Sequence, residues 1–498
     1  MNIHIPTLLD ADSYKMGHPE EYSPDIQRIN AYFTFRGNTL PIEDSRIVFF
    51  GMRWMYESFL SVPITMEDIY EADEYLAHHG VAGTQYQYPR DLFIKVIEEN
   101  NGYWPVTIRS LREGQCVHPG IPCFVISAKA PYQGLVTFLE SRLMRLWSPS
   151  CTATKSALVR DCLEFYFEKT VDPDSHFLLD SRFHDFGSRG TSSAETAMVT
   201  GIGHLLFFEG TDTMTAGWLA TKWNAGVPIG QSVIATEHSV MTTWDSELKA
   251  ILNLIEKSPE GAILSVVADS YDYHRFLKEI LPLIVEPCRA KNQFFVVRPD
   301  SGDPQQAVLD GLFYLEKAFG STKNSLGYRV INGAGLIQGD GLELQDIGTI
   351  ADAVYRAGYS AQCVAYGMGG GLLQKQNRDT LKAAIKACEI ELQDGTVKPI
   401  MKRPSSDVTK ISLPGNFSVC YESHDLNKAN LMVFPYLETL DDLLEVIWDQ
   451  GPVDYQFDYF NLVRTHARMS WKECSRFNEV LSPEMKEKLM TVQETLNK

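Results

Sequence analysis

One pattern repeats between residues 177 and 390: a short apolar run, a polar turn bearing glycine or an acid, then a helical run. Phe177, Leu178, Leu179 and Phe183 lead into His184-Asp185-Phe186-Gly187-Ser188-Arg189-Gly190-Thr191-Ser192-Ser193, and small and apolar residues follow from Ala194. Ser232 to Ala235 ends in Thr236-Glu237-His238, and Ala262 to Ala268 ends in Asp269-Ser270-Tyr271-Asp272. Phe294 to Val297 ends in Arg298-Pro299-Asp300-Ser301-Gly302, and Leu336 to Gln338 in Gly339-Asp340-Gly341. Cys363 to Ala365 ends in Tyr366-Gly367-Met368-Gly369-Gly370-Gly371. Apolar runs alternating with helical patterns predict strands of a parallel sheet. Polar side chains gathered at C-terminal strand ends are where a (β/α) barrel keeps its active site. One such turn is ordinary helix-cap punctuation. Six in series, with carboxylates and arginines among them, predict a site. Unpaired N–H groups at the helix starts favour an anion, so a phosphate, a sugar or a flat ring could be held there.

At 498 residues the chain has room for two or three domains and a large core. A net charge of −19 argues against nucleic acid or an anionic membrane as partner. The nine cysteines are odd in number and include no C-x-x-C pair, which predicts reduced, cytoplasmic thiols and neither a disulfide framework nor a zinc site. Met1 to Pro6 lacks the basic and apolar regions of a signal peptide. No run approaches the ~20 apolar residues of a spanning helix.

Residues 104–128 alternate and are broken by Gly and Pro, which predicts short antiparallel strands. Residues 131–147 and 152–169 read as amphipathic helices, and a final helix is expected near 482–497. The expected domains are an α+β region over 1–150, a barrel-like catalytic domain over 151–395, and a segment over 396–498 that packs back on the N-terminal domain. Several chemistries have no signature here. There is no G-x-x-x-x-G-K-[ST] loop, no H-E-x-x-H and no G-x-S-x-G elbow. Gly367 to Leu372 begins like a dinucleotide fingerprint but has Leu372 where the third glycine belongs. It reads better as bare backbone that a phosphate can approach closely.

The ordered set of loops resembles the nicotinamide phosphoribosyltransferases, of the type II phosphoribosyltransferase fold. The matching residues are Asp12-Ser13-Tyr14-Lys15 with His18, the 184–193 turn, Gly210-Thr211-Asp212-Thr213, Glu237-His238-Ser239, Asp269 to Asp272, Arg298 to Gly302, Gln338 to Gly341, and Gly369 to Lys375 with Arg378-Asp379. The resemblance implies an α/β fold: an irregular (β/α) barrel with an additional α+β domain built from the N-terminal region and the C-terminal tail. It implies condensation of nicotinamide with phosphoribosyl pyrophosphate, giving nicotinamide mononucleotide and pyrophosphate.

It also implies roles. Phe186 covers one face of the ring, and Tyr14 covers the other from a partner subunit, so the expected enzyme is a homodimer with shared sites. Aromatic faces suit a ring that becomes a pyridinium cation. Asp212 takes the carboxamide N–H and repels nicotinate. Arg298 and Arg189 meet the amide carbonyl or phosphate oxygens, and Ser232 and Ser265 line the ring pocket. Asp300 and Asp340 hold the ribose hydroxyls or a Mg2+ on the pyrophosphate. Gly339 binds the ribose or phosphate beside Asp340, Gly369 and Gly370 cradle the 5′-phosphate, and Arg378 and Lys386 neutralise it across the dimer interface. Arg36, Lys402 and Lys410 serve pyrophosphate or ATP, the expected co-substrate. His238 matches the family's phosphorylated histidine, with Asp269 as its expected orienting carboxylate.

Three positions depart from the family pattern: Ser188 replaces a frequent Tyr, Arg403 a usual Asp and Ala384 a frequent Ser. Two other readings keep the same scaffold, a nicotinate phosphoribosyltransferase and a non-catalytic binding protein. An aldolase-like barrel would need a Schiff-base lysine at a strand end, and the series has none.

Overall fold

The computed structural model describes residues 5–404, 410–422 and 430–495. The chain divides into two units. One comprises 1–151, 377–458 and 465–498, and the other comprises 152–376 with 459–464.

The second unit carries the series of apolar runs. Seven strands form one parallel sheet in the order Gly210–Thr211, Phe183–Asp185, Val364–Met368, Ala334–Gln338, Phe294–Arg298, Ile263–Val267, Ile234–Ala235. The two edge strands meet through Gln231. Its carbonyl accepts from Thr211 N–H at 2.8 Å, and its own N–H donates to the Glu209 carbonyl at 2.7 Å. The sheet is therefore curled into an irregular (β/α) barrel. Strand side chains alternate as the pleat requires. Phe295 and Val297 are fully buried on one face, while Phe294 and Val296 line a hollow of about 210 Å3 with Ser265, Ile337 and Ala365.

Helices follow the strands where the pattern placed them, at Ala194–His204, Pro304–Phe319 and Leu344–Arg356 among others. Ser193 and Asp303 cap two of them by accepting from Thr196 N–H and Gln306 N–H, which satisfies otherwise unpaired donors. One expected strand segment is different: Pro173–Ser181 is a 3-10 helix, and the strand itself is confined to Phe183–Asp185. Asp172 starts that helix with a proline in its first turn, a position that tolerates the missing N–H.

The first unit is α+β and joins N- and C-terminal sequence. Its sheet runs Val397–Pro399, Ala383–Leu392, Ile26–Phe35, Pro122–Lys129, Thr107–Ser110, Glu445–Asp449, with every pairing antiparallel. The tail thus supplies strands at both edges of an N-terminal core. Ile26–Phe35 is the central strand that the sequence pattern did not single out. Residues 29–35 are all buried, so the alternation that marks a half-exposed strand is absent. Phe33 stacks on Phe124 with centroids 5.1 Å apart and rings 8° from parallel, a pair worth about 1 kcal/mol beyond burial. Ala383–Leu392 lay within the expected barrel segment, yet it pairs with Ile26–Phe35. The tail also holds an unanticipated helix, Phe460–Glu473, before the final Pro483–Thr495.

The two expected amphipathic helices also differ. The first is broken into short turns over Leu135–Phe138, Glu140–Leu143 and Met144–Leu146. The second, Trp147–Thr170, is buried on all sides over residues 151–159, so it is a core helix there. No helix among the described residues is long and apolar enough to cross a membrane.

Candidate active site

The C-terminal strand ends of the barrel open on a cavity of about 560 Å3. Phe186, Arg189, Asp212, Arg298 and Asp300 line it, and Gly339, Gly369 and Gly370 supply bare backbone. Glu237 and Gln374 complete the wall. Loops as far apart in sequence as those of Phe186 and Gln374 therefore share one mouth.

Close backbone approach positions the aromatic floor. A Cβ on Gly367 would lie 2.0 Å from Phe186 Cε2, and one on Gly339 would lie 3.0 Å from it. Two glycines thus make the slot in which the Phe186 ring lies. Phe186 N–H donates to the Met368 carbonyl at 3.0 Å, fixing the strand end. Asp185, one residue earlier, is fully buried. Its carboxylate accepts from Gly187 N–H at 2.7 Å, and its carbonyl accepts from Asp212 N–H at 2.9 Å. Burial pushes its carboxyl up to about 6, against the Gly187 bond, and the charge of Asp212 adds to the rise. Asp185 thus ties the Phe186 turn to the Asp212 turn.

Asp212 is exposed to the cavity and caps no helix. The helix Met214–Trp223 begins after Thr213. Ser232 Oγ donates to Asp212 Oδ1 at 2.5 Å, which orients the carboxylate. Ser232 and Ser265 line the smaller hollow inside the curl, not the mouth itself.

His238 sits beside the mouth with 45% of its side chain exposed. Its Nε2 is 3.3 Å from Asp300 Oδ2 and 3.9 Å from Asp269 Oδ1, while Nδ1 is 3.1 Å from Ser270 Oγ. The nearer carboxylate is thus Asp300, not the expected Asp269. Asp269 is occupied with the next turn: its Oδ2 accepts from Asp300 N–H at 2.9 Å and from the Ser301 hydroxyl. Its buried Oδ1, the atom facing His238, has no hydrogen-bond partner among the described residues.

Arg298 has its Nε buried with no hydrogen-bond partner among the described residues, and lies 3.9 Å from Asp300 Oδ1. A buried guanidinium nitrogen left unmatched is a donor waiting for an oxygen. Asp340 has its carboxyl raised by burial and by the charges of Asp300 and Asp269. Such mutual repulsion of acids suits a hard cation with oxygen ligands. Among the described residues no three acid, His or Cys groups converge as a ready metal cage.

The first unit holds the remaining candidates. Tyr14 and Arg378 line a hollow of about 400 Å3 together with Asp10, Asp12 and Lys15. Lys386 has its ammonium lowered by burial; Glu140 opposes this, and the positive charges of Arg36, Lys402 and Lys15 add to it. Three cations thus act on Lys386 against one acid, which is itself paired with Lys15, a balance that favours an anion beside Lys386. Arg36 Nε donates to the Lys382 carbonyl at 3.4 Å, and Lys402 N–H to Ser412 Oγ at 2.8 Å. Lys410 lies on the surface.

One functional side chain escaped the sequence reading. Lys155, 1% exposed, donates to the carbonyls of Gly371, Leu372 and Lys375 at 2.7, 3.2 and 3.3 Å. Those carbonyls end the Gly370–Leu373 helix, so a cation is placed at the negative end of the glycine loop. A lysine set among the small, mostly uncharged residues of Cys151–Val159 was the available signal.

Known proteins share this arrangement. Residues 181–431 match the nicotinate phosphoribosyltransferase family, and residues 6–108 match the N-terminal domain of nicotinamide phosphoribosyltransferase. A nicotinamide phosphoribosyltransferase of Xanthomonas campestris pv. campestris is 34% identical over 473 residues, covering 92% of this chain and 97% of that protein. The chain belongs to the nicotinate/nicotinamide phosphoribosyltransferase family. A second nicotinamide phosphoribosyltransferase, from Acinetobacter baylyi, is 31% identical and covers 83% of this chain and 88% of its own. Two solved structures share the fold at 16% identity and a TM-score of 0.63. They are the nicotinate-nucleotide pyrophosphorylase of Pyrococcus furiosus (95% of this chain, 98% of that one) and the human nicotinic acid phosphoribosyltransferase (98% and 99%). The irregular barrel with its two-part α+β domain is therefore the type II phosphoribosyltransferase architecture.

Proposed function

We propose that this family member makes nicotinamide mononucleotide from nicotinamide and phosphoribosyl pyrophosphate, as in NAD salvage. The observation that carries the reading is the pairing of Asp212 with Phe186 in one cavity. An aromatic face with a carboxylate at its edge accepts a flat ring bearing an amide N–H and rejects one bearing a carboxylate.

The pyridine nitrogen forms its bond to C1 of the ribose as the C1–O bond to pyrophosphate breaks, and the leaving group takes the electron pair. Positive charge develops on the sugar and negative charge on the pyrophosphate. Asp300 and Asp340 stand where ribose hydroxyls would be held, and Arg298 and Arg189 face the developing anion. Mg2+, when bound by Asp300 and Asp340, would neutralise pyrophosphate charge. The bare backbone of Gly369 and Gly370 receives the 5′-phosphate, steadied by Lys155. Tyr14, Arg378 and Lys386 are supplied by a second copy of the chain, with Arg36, Lys402 and Lys410 serving the polyphosphates. Nine cysteines with no disulfide among them suit the cytoplasm.

ATP is the co-substrate that His238 serves. With Nε2–H held toward Asp300, the lone pair lies on Nδ1. Nδ1 attacks the γ-phosphorus, ADP leaves, and hydrolysis of the phosphohistidine restores the imidazole. Ser270 bonds that nitrogen at rest and must turn aside.

A product assay with nicotinamide and nicotinate, with and without ATP, tests the reading. Mononucleotide should form from the amide, and preference for the acid would overturn the assignment. His238→Ala should abolish ATP hydrolysis while retaining some ATP-independent synthesis. Label from γ-labelled ATP on the alanine variant would remove His238 from this role.

A further inference from the structure

Residues 10–22 run along residues 137–145 in the opposite direction, tied to them one side chain after another. The Asp10 carboxylate is gripped by the guanidinium groups of Arg142 and Arg145, with Arg145 Nη1 at 3.0 Å. Ser141 Oγ donates to Asp12 Oδ2 at 2.6 Å and accepts the Asp12 N–H at 3.2 Å. Lys15, almost wholly buried, donates to Glu140 Oε2 at 2.6 Å. His18 Nδ1 and Tyr22 OH both meet Thr137 Oγ1, at 3.1 and 3.2 Å. The backbones close up as well, since a Cβ on Gly134 would sit 2.3 Å from Pro19 Cα.

Tyr14 is the exception on this ladder. It is 59% exposed and borders the hollow that Arg378 also lines. Its ring is steadied only at the near side, by His18 at a centroid distance of 5.2 Å and by Lys15 Nζ at 5.2 Å. N-terminal segments fray unless tied down, and here the ties fall on both sides of the one large aromatic left facing outward.

We propose that Asp10, through its clip to Arg142 and Arg145, is a positioning residue that holds the Tyr14 ring in its ring-covering direction before nicotinamide arrives. This rests on the reading that Tyr14 covers the nicotinamide ring in a second copy's site. A ring already oriented loses less freedom when it closes on the substrate. The clip therefore acts on nicotinamide affinity and not on the chemical step.

Asp10→Asn keeps the size and removes the charge. KM for nicotinamide should rise roughly five- to twenty-fold, with kcat and the KM for phosphoribosyl pyrophosphate changed by less than about two-fold. Amide hydrogen exchange over residues 10–16 should quicken. In a Tyr14→Ala background the same change should add nothing, because it acts only through that ring. Arg145→Ala, at the surface, should repeat the result if Asp10→Asn does not fold. A KM effect that adds in full to that of Tyr14→Ala overturns the proposal, as does faster exchange with unchanged KM in both clip variants. If Tyr14→Ala itself leaves KM unchanged, the placement of Tyr14 on the ring fails and the proposal falls with it. If Tyr14→Ala raises KM and the clip variants do not, the placement stands and only the proposal falls.

Discussion

The mouth of the barrel and the hollow inside its curl are neighbours built from the same strands, yet they hold opposite chemistry. The mouth is set with Asp212, Glu237, Asp300, Arg189 and Arg298. The hollow is walled by Ile263, Phe294, Val296, Leu336 and Ile337, with His184 and Arg182 as its ionisable members. Burial works against charge there. It draws His184 down to about 4, opposed by the bond to the Ser181 carbonyl, and it draws Arg182 down to about 10. In the mouth charge faces charge: His238 and Arg298 both look toward Asp300. One sheet can thus run ionic chemistry at its rim because solvent and opposite charges reach the loops, while the strand interior selects neutral groups.

The sharpest way to break this contrast is Asp300→Asn, which removes the acid shared by His238, Arg298 and the expected ribose site. Turnover should fall by roughly 10^2 to 10^3, measured as kcat under saturating substrates. A fall of less than about ten-fold would show that the mouth's charges are not acting on the reaction.

The next effect is on stability, and its sign differs between rim and interior. Asp185, at the floor of the mouth, has a folded pKa of about 6 against an ordinary 3.8. Between those values the folded state holds the extra proton, so this group's contribution falls as pH rises and levels off above about 6. His184 has a folded pKa of about 4 against 6.5. There the unfolded state holds the extra proton, so its contribution is present above 6.5 and is lost as pH falls toward 4. Each is worth on the order of 3 kcal/mol. Denaturant unfolding across pH 4–6.5 should therefore tilt oppositely in two variants. Relative to the parent, Asp185→Asn should gain stability as pH rises, and His184→Gln should lose it. Parallel profiles would mean that neither site feels its surroundings as the geometry requires.

The smallest effect expected is at Arg182. It has no ion-pair partner among the described residues, and its Nε donates only to the Leu178 carbonyl, at 3.2 Å. Taking a charge out of water with no opposite charge beside it costs free energy, so an apolar chain of like size should gain on the order of 1 kcal/mol. Arg182→Met should raise the thermal midpoint by roughly 2–4 °C, read by calorimetry, with kcat unchanged. A lower midpoint would show that the hollow needs its cation.

The mouth was legible in the sequence, and the reason is physical. Each strand end hands a polar turn to a helix, so Asp300, Asp340 and the glycine loop announce themselves by following apolar runs, while Asp212 was reached only through the family resemblance. The interior was harder to read. His184 and Ser265 differ from their neighbours only in which way the pleat turns them. The orienting carboxylate of His238 was misread because Asp269 and Asp300 end adjacent strands, and sequence order does not say which side chain reaches the ring. The α+β unit was partly opaque for another reason. Ile26–Phe35 is covered on both faces, and its partner Ala383–Leu392 lies far away near the other end of the chain; no local pattern encodes such a pairing.

Lys155 ties the glycine loop to a fully buried stretch of helix. Its ammonium reaches Gly371 across 216 positions of sequence, from a helix segment packed on every side. An ion in that setting tolerates no half-measures, because leaving even one carbonyl would strand it away from water. The helix around Lys155 and the carbonyl end of the glycine loop are thereby held to one another, so the loop keeps its shape only while that helix stays packed.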